Sequence, residues 1–240
     1  MPNTQQSNKI TPAQRVSEVK EYYFSKKLRE VAQLNAEGKD IVSLGIGGPD
    51  RPPHKDVIDT LCTEAAKPGN HSYQPYVGIP ELREAFAAWY KKHYDVDLDP
   101  KSEIQPLIGS KEGILHISLA FLNPGDGVLI PNPGYPTYTS VSRLAGAEVF
   151  NYNLTEENGW EPDFAELEKL PLERIKLMWV NYPHMPTGKS ASMELYKRIV
   201  DFGRKHGIVI VNDNPYSFIL NDNPISMLKV EGPKDIAIEM

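Results

Sequence analysis

An apolar run that ends in polar side chains stands at residues 208–216, with the sequence IVIVNDNPY. Strands covered on both faces of a parallel sheet are apolar throughout, and residues 208–212 have this character. An amphipathic helix is predicted directly before this run, over 192–206, with Gly207 as its stop. Further strands are predicted at 128–130, 148–152, 175–181 and 236–240. The alternation of such strands with amphipathic helices predicts an α/β fold, with a mainly parallel sheet and helices on both faces.

Apolar residues at helical spacing predict three more helices in the first half of the chain. The first spans 18–36 and is followed by Gly38, which suits a left-handed cap. The second spans 80–94 and begins with Pro80, a residue that is favoured in a first helical turn. The third spans 111–122 and ends before the turn Asn-Pro-Gly-Asp.

The composition of the chain limits its function. With 26 Lys and Arg against 32 Asp and Glu, the net charge of −6 provides no excess positive field to bind nucleic acid or an anionic membrane. Cys62 is the only cysteine in the sequence, which excludes an intrachain disulfide and is typical of a reducing compartment. No stretch approaches the apolar length of about 18 residues that a membrane span needs. We therefore expect a cytoplasmic protein with neither a nucleic-acid nor a membrane partner.

Polar side chains follow the run at 208–212, at the edge where parallel strands end and where ligands bind in such sheets. Asp213 and Tyr216 could bind opposite edges of a flat heteroaromatic ring. The carboxylate would bind a protonated ring nitrogen, and the phenol would donate to a phenolate oxygen. The alternative for the carboxylate is an Asx-turn with the backbone that follows it.

Two further segments could bind the same kind of ligand. Gly109, Ser110 and Lys111 open a predicted helix, where free backbone N–H groups and a positive side chain could bind a phosphate. The alternative is an ordinary helix cap by Ser110. Tyr135, in the turn at 133–138, could stack on a planar cofactor or pack as an ordinary loop residue.

Other chemistries find little support in the sequence. The glycines at 45–48 are followed by Pro49 and Asp50, which do not fit a dinucleotide-binding loop. There is no nucleophile-elbow or Walker A sequence. The six histidines lack the spacing of metal ligands, so no metal site is predicted.

Taken in this order, the segments resemble the class I/II aminotransferases of the fold-type I enzymes, which depend on pyridoxal 5′-phosphate (PLP). The resemblance covers residues 41–240 and includes SYQPYVGIPELREA at 72–85. It implies PLP as the cofactor, amino-group transfer between an amino acid and a 2-oxo acid, and a homodimer in the complete form. It also implies an N-terminal arm and helix at 1–45 and a PLP-binding large domain at 46–240, with the C-terminal part and the small domain missing.

The resemblance assigns a role to each matching residue. Asp213 matches the partner of the ring nitrogen, Tyr216 the partner of the 3′-oxygen, and Tyr135 the residue that stacks on the ring. Phosphate contacts are implied for Gly109, Ser110, Lys111 and, across the subunit interface, Tyr73; the substrate carboxylate is expected near Gly47.

The resemblance also implies a Schiff-base lysine about 30 residues after the Asp-x-x-Tyr motif, which is about five residues beyond Met240. Lys229 and Lys234 lack the Ser-x-Ser-Lys setting of the family. We therefore expect no catalytic residue in this segment and essentially no transamination by it alone. The alternatives are a truncated, non-catalytic remnant of the PLP fold, or a PLP-dependent lyase or decarboxylase, because fold and motifs alone do not fix the reaction.

One position departs from the family motif in a way that can be tested. The family's Asn-Pro-Thr-Gly is Met-Pro-Thr-Gly at 185–188, and the thioether of Met185 cannot donate to the 3′-oxygen as an asparagine does. In any complete version of the enzyme we expect a raised Schiff-base pKa. Met185→Asn should lower that pKa in a spectral titration, and an unchanged titration would count against the assignment.

Overall fold

The computed structural model describes residues 10–16, 21, 23–45, 47–48 and 50–240. The chain divides into two compact units, Lys20–Tyr76 and a second unit that contains Val77–Met240 together with residues 10–16. In the first unit, helix α1 spans Tyr23–Ala36, helix α2 spans Lys55–Ala65, and a 3₁₀ turn spans Pro68–His71. The predicted first helix agrees with α1 at its C-terminal end, but residues 18–20 and 22 of that prediction lie outside the described residues.

A parallel sheet forms the centre of the second unit, and five strands belong to it among the described residues. The strands are β1 (Gly127–Asn132), β2 (Glu148–Asn153), β3 (Ile175–Val180), β4 (Val209–Asn212) and β5 (Ala237–Glu239). Their order is β2-β1-β3-β4-β5, and every neighbouring pair is parallel. The predicted parallel α/β sheet is therefore confirmed, and the carboxyl ends of β1, β3 and β4 share one edge.

Two helices precede the sheet in the chain, α3 (Pro80–Tyr94) and α4 (Ser110–Phe121). Between the strands lie α5 (Pro136–Leu144), the single turn α6 (Phe164–Leu167) and α7 (Met193–His206). Helix α7 begins as predicted, because the Ser192 hydroxyl accepts from the backbone of Leu195, and it ends at Gly207 in the left-handed conformation, φ 66°. Helix α5 was not predicted, because residues 133–138 were interpreted as a turn. Within the described part of the chain, no helix is long and apolar enough to cross a membrane.

Two apolar cores cover the two faces of the sheet. Leu129 of β1 packs in the core that contains α7 and its fully buried Ile199. The flanking Val128 and Ile130 belong to the other core, which contains Ile114 of α4 and Tyr138 of α5. Helices therefore lie on both faces, as predicted.

Candidate functional site

A buried carboxylate stands at the end of β4. Asp213 is 5% exposed, and its Oδ2 accepts a hydrogen bond from the hydroxyl of Tyr138 at 2.7 Å. Burial raises the pKa of the Asp213 carboxyl, and the Tyr138 hydrogen bond opposes that rise. Among the described residues, no hydrogen-bond donor pairs with Oδ1. One carboxylate oxygen is thus fixed by the protein, while the other can accept from a ligand, and the predicted alternative of an Asx-turn is not formed.

The tyrosine that holds Asp213 is itself rigidly packed. The ring of Tyr138 stacks on Trp179 of β3, with ring centroids 4.9 Å apart and an interplanar angle of 5°. Burial raises the pKa of the Tyr138 phenol, so the hydroxyl remains a proton donor at neutral pH. A donor on helix α5 therefore fixes a carboxylate that follows β4.

Asn181, directly after β3, joins two loops at the same edge. Its Nδ2 donates to the backbone oxygen of Asp213 at 2.5 Å, and its Oδ1 accepts from the backbone N–H of Met185 at 2.8 Å. The Tyr216 hydroxyl donates to the sulfur of Met185 at 3.6 Å. The structure thus brings Met185 and Tyr216 into contact, while the roles near the 3′-oxygen that the resemblance implies for them remain predictions.

The N-terminus of α4 carries the predicted phosphate-binding residues. Gly109 is the N-cap residue, with φ 119°, and no side chain caps the helix. The alternative of a cap by Ser110 is therefore wrong, because Ser110 is the first residue of the helix itself. A Cβ atom built on Gly109 would meet nothing within 4 Å, so the space in front of this helix end is open.

Aromatic contacts connect this helix end to the carboxylate. The Lys111 ammonium lies 6.0 Å from the ring centroid of Tyr135. Tyr135 in turn packs edge-to-face on Tyr138, with centroids 5.6 Å apart and an angle of 82°. Lys111, Tyr135 and Asp213 therefore belong to one continuous cluster. Gly47 and Tyr73 lie in the other compact unit, and their predicted roles remain predictions.

Glu239 is a second buried carboxylate, but its bonding differs from that of Asp213. Its oxygens accept from the Ser226 hydroxyl at 2.6 Å, the Met227 backbone N–H at 2.9 Å and Asn212 Nδ2 at 3.1 Å. Burial raises the pKa of Glu239, and these hydrogen bonds oppose that rise. The donors to Glu239 come from the chain itself, so it has a structural role, whereas Asp213 keeps an oxygen for a ligand.

A large groove in the structure does not coincide with this site. A groove of about 720 Å³ lies between α3, α4 and β5 and touches the site residues only at Gly109 and Ser110. Asp213 and Tyr135 do not line it. The candidate site is thus defined by converging loops.

The described residues contain no group of three or more His, Cys, Asp or Glu side chains that could bind a metal.

The sequence interpretation missed two residues of the site, Tyr138 and Asn181. Tyr138 lies in the predicted turn at 133–138, but only Tyr135 was predicted as a site residue. A turn does not indicate where a side chain three residues further on will point. Asn181 offered a signal, since a polar residue at the end of an otherwise apolar strand points to the ligand edge.

Comparison with known proteins agrees with a cofactor site in an α/β fold. The family model of aminotransferase class I and II matches residues 39–238, and the chain belongs to this family. The LL-diaminopimelate aminotransferase of Dehalococcoides mccartyi is 42% identical over 229 residues, which are 95% of this chain and 59% of the relative. The enzyme of that name from Aquifex aeolicus is 41% identical over 220 residues, 91% of this chain and 57% of the relative.

Solved structures show the same relationship. Apo-BacF from Bacillus subtilis superposes with a TM-score of 0.89 at 36% identity, covering 96% of this chain and 59% of that one. Aspartate aminotransferase from Thermus thermophilus with maleate has a TM-score of 0.88 at 26% identity, and the match covers 96% of this chain and 60% of that one. The chain thus spans about three fifths of the length of the proteins it matches.

The bond between Tyr138 and Asp213 should contribute to stability in a pH-dependent way. Burial raises the pKa of Asp213 in the folded protein above the unfolded value of about 3.9. The stability that Asp213 contributes is therefore fully present below the unfolded pKa, and it is lost as pH rises through the folded pKa. Tyr138→Phe raises that pKa further. We expect the variant to lose about 1.5–3 kcal/mol of unfolding free energy at pH 7 and less at pH 4, measured by urea unfolding.

Tyr152→Phe is the matched control for this experiment. Its buried hydroxyl donates at 2.7 Å to the backbone oxygen of Trp179, which does not titrate. The Tyr152→Phe variant should lose about 0.5–1.5 kcal/mol of unfolding free energy, and this loss should be the same at pH 7 and pH 4. Equal pH dependence in the two variants would contradict a charged acceptor for Tyr138.

Proposed function

We propose that this protein is a PLP-dependent aminotransferase, which moves an amino group between an amino acid and a 2-oxo acid, and that this chain supplies its cofactor-binding residues. The observation that carries the proposal is the half-satisfied carboxylate of Asp213, held by Tyr138 and linked through Tyr135 to the uncapped end of α4. PLP needs partners of these kinds: a carboxylate for its ring nitrogen, an aromatic face and an anion site. The family membership of the chain supports PLP as the cofactor.

Asp213 is proposed to bind the protonated ring nitrogen through Oδ1. When bound, PLP supplies an electron-accepting ring that stabilises negative charge at the substrate's α-carbon. A carboxylate with little water around it holds the nitrogen proton more strongly than an exposed one does. The Tyr138 hydrogen bond keeps Asp213 in one orientation, and Tyr135 is proposed to stack on the ring.

The phosphate is proposed to bind at the N-terminus of α4. Gly109 allows a close approach, and the N–H groups of the first turn have no capping side chain to compete with an anion. Ser110 adds a hydroxyl and Lys111 a positive charge. The neighbouring subunit is proposed to add Tyr73, which is fully exposed in this chain.

The 3′-oxygen is proposed to bind at Tyr216 and beside Met185. The Tyr216 hydroxyl, which donates to the Met185 sulfur here, is a stronger partner for an anionic oxygen than for a thioether. Met185 itself offers no proton, so Tyr216 is the donor proposed on this side of the ring. Gly47 is proposed to lie near the substrate carboxylate.

The two lysines nearest the end of the chain have other partners. Lys229 forms an ion pair with Asp95 at 3.5 Å, and Lys234 with Glu103 at 2.7 Å. Neither contacts Asp213, Tyr216 or Tyr135 in the structure. We therefore assign the imine-forming role to neither of them.

LL-diaminopimelate is the proposed amino donor, with a 2-oxo acid as acceptor. The support is the name and the 41–42% identity of the relatives described above, against 26% for the aspartate aminotransferase. A homodimer and a cytoplasmic location are proposed as well. The exposed Tyr73 supports the former, and the single free thiol of Cys62 supports the latter.

Cofactor binding can be measured without catalysis. Pyridoxamine 5′-phosphate is a suitable probe, because it has the ring and phosphate of PLP but no aldehyde to react with lysines. Lys111→Met should weaken its binding about 10- to 100-fold, since a charge-assisted hydrogen bond contributes about 1.5–3 kcal/mol, and should leave the weaker binding of pyridoxamine unchanged. Lys101→Met, on an exposed loop, is the control. Equal effects on both ligands would place the phosphate elsewhere.

The reaction itself is tested with the protein expressed from its own gene and supplied with PLP. We expect glutamate to form from LL-diaminopimelate and 2-oxoglutarate, and Asp213→Asn to slow the reaction about 100-fold or more, because the ring nitrogen loses its charged partner. Cofactor binding without any turnover would favour the non-catalytic remnant. Release of CO₂ or of an eliminated group without glutamate would favour the decarboxylase or lyase.

A further inference from the structure

His184 is a buried histidine in the loop between β3 and α7, and it is 2% exposed. Its Nε2 lies 3.1 Å from the backbone oxygen of Pro133, and its Nδ1 lies 2.8 Å from the hydroxyl of Thr187. Pro133 belongs to the loop between β1 and α5, two residues before Tyr135. The imidazole therefore joins two loops that carry different residues of the proposed cofactor site.

The hydrogen-bond partners define the tautomer. A carbonyl oxygen only accepts, so Nε2 carries the proton that is donated to Pro133. Nδ1 then accepts from the Thr187 hydroxyl, which also accepts from the backbone N–H of Lys189 at 3.3 Å. A neutral ring satisfies all of these bonds, and burial lowers the pKa of His184, which keeps it neutral.

The loop that contains His184 is itself fixed. The His184 N–H donates to Lys189 O at 2.8 Å, and its carbonyl accepts from the Gly188 N–H at 2.7 Å. Asn181 binds the backbone of the next residue, Met185. The imidazole is thus a rigid donor. Among the side-chain hydrogen bonds of the described residues, His184 to Pro133 is the one that joins the loop at 133–135 to the loop at 181–189.

We propose that His184 is a positioning residue, whose Nε2–H holds the loop at 133–135 against the loop at 181–189 and so sets the ring of Tyr135 over the cofactor. This inference rests on the proposed function, because it takes Tyr135 as the stacking residue. A purely structural histidine, packed beside the ring of Tyr182 with centroids 5.9 Å apart, would affect stability but not the orientation of a bound ring.

The test uses pyridoxamine 5′-phosphate and its circular dichroism, which reports how firmly the bound ring is oriented. His184→Ala should weaken binding about two- to tenfold, as expected for one lost hydrogen bond, and should markedly reduce the dichroism per bound ligand. His184→Gln keeps an N–H donor on a side chain of similar reach and should recover most of both. Thr187→Val keeps the bond to Pro133, so it should lower the melting temperature without changing the dichroism.

Different results separate this inference from the proposed function. If the unsubstituted protein fails to bind the probe, both are wrong. If it binds and the dichroism of His184→Ala is unchanged at saturation, only the role of His184 is wrong, and the same holds if Thr187→Val reduces the signal as much as His184→Ala does. Should His184→Ala not fold, His184→Leu replaces it, because leucine fills much of the space but has no N–H donor. A reduced dichroism in His184→Leu beside a nearly normal one in His184→Gln supports the role of His184, and equal signals overturn it.

Discussion

The hydrogen bond between Tyr138 and Asp213 connects the chemistry of the site to the packing of the whole sheet. The phenol is positioned by its stack on Trp179, a fully buried residue of β3, while the carboxylate follows β4. A buried carboxylate is costly unless a donor compensates for its lost hydration. Two neighbouring strands and helix α5 must therefore all be in place before Asp213 can remain charged, so the site forms only as part of the folded unit.

The two buried carboxylates illustrate how the fold separates structural and functional charges. Glu239, on the last strand, receives donors from Ser226, Met227 and Asn212. Asp213 receives one, from Tyr138. Both are buried and both have raised pKa values, so burial alone does not distinguish them. The number of internal hydrogen-bond donors distinguishes the two carboxylates, because an unpaired oxygen at the ligand edge can accept a hydrogen bond from a bound molecule.

A frame of neutral polar side chains supports the loops around Asp213. Asn181 binds the backbones of Asp213 and Met185, and His184 binds the backbone of Pro133. The bonds from Asn181 to Asp213 and from His184 to Pro133 join segments that are distant in sequence. Loops held in this way can present side chains such as Tyr135 in a defined orientation without being covered by other elements.

The sequence by itself determined the sheet, most of the helices and the loops that carry chemistry, because apolar strand runs and helical periodicity are local signals. It also indicated Asp213 and Tyr216, since residues after parallel strands lie at one edge, whereas Met185 was singled out only by the resemblance to the family motif. It missed helix α5, which begins at Pro136, because the proline and glycine residues of this segment indicated a turn. It did not identify Tyr138, Asn181 or His184 either. Only the tertiary structure decided their partners, because a hydrogen bond between residues 75 positions apart, as in Tyr138 and Asp213, leaves no periodic trace in the chain.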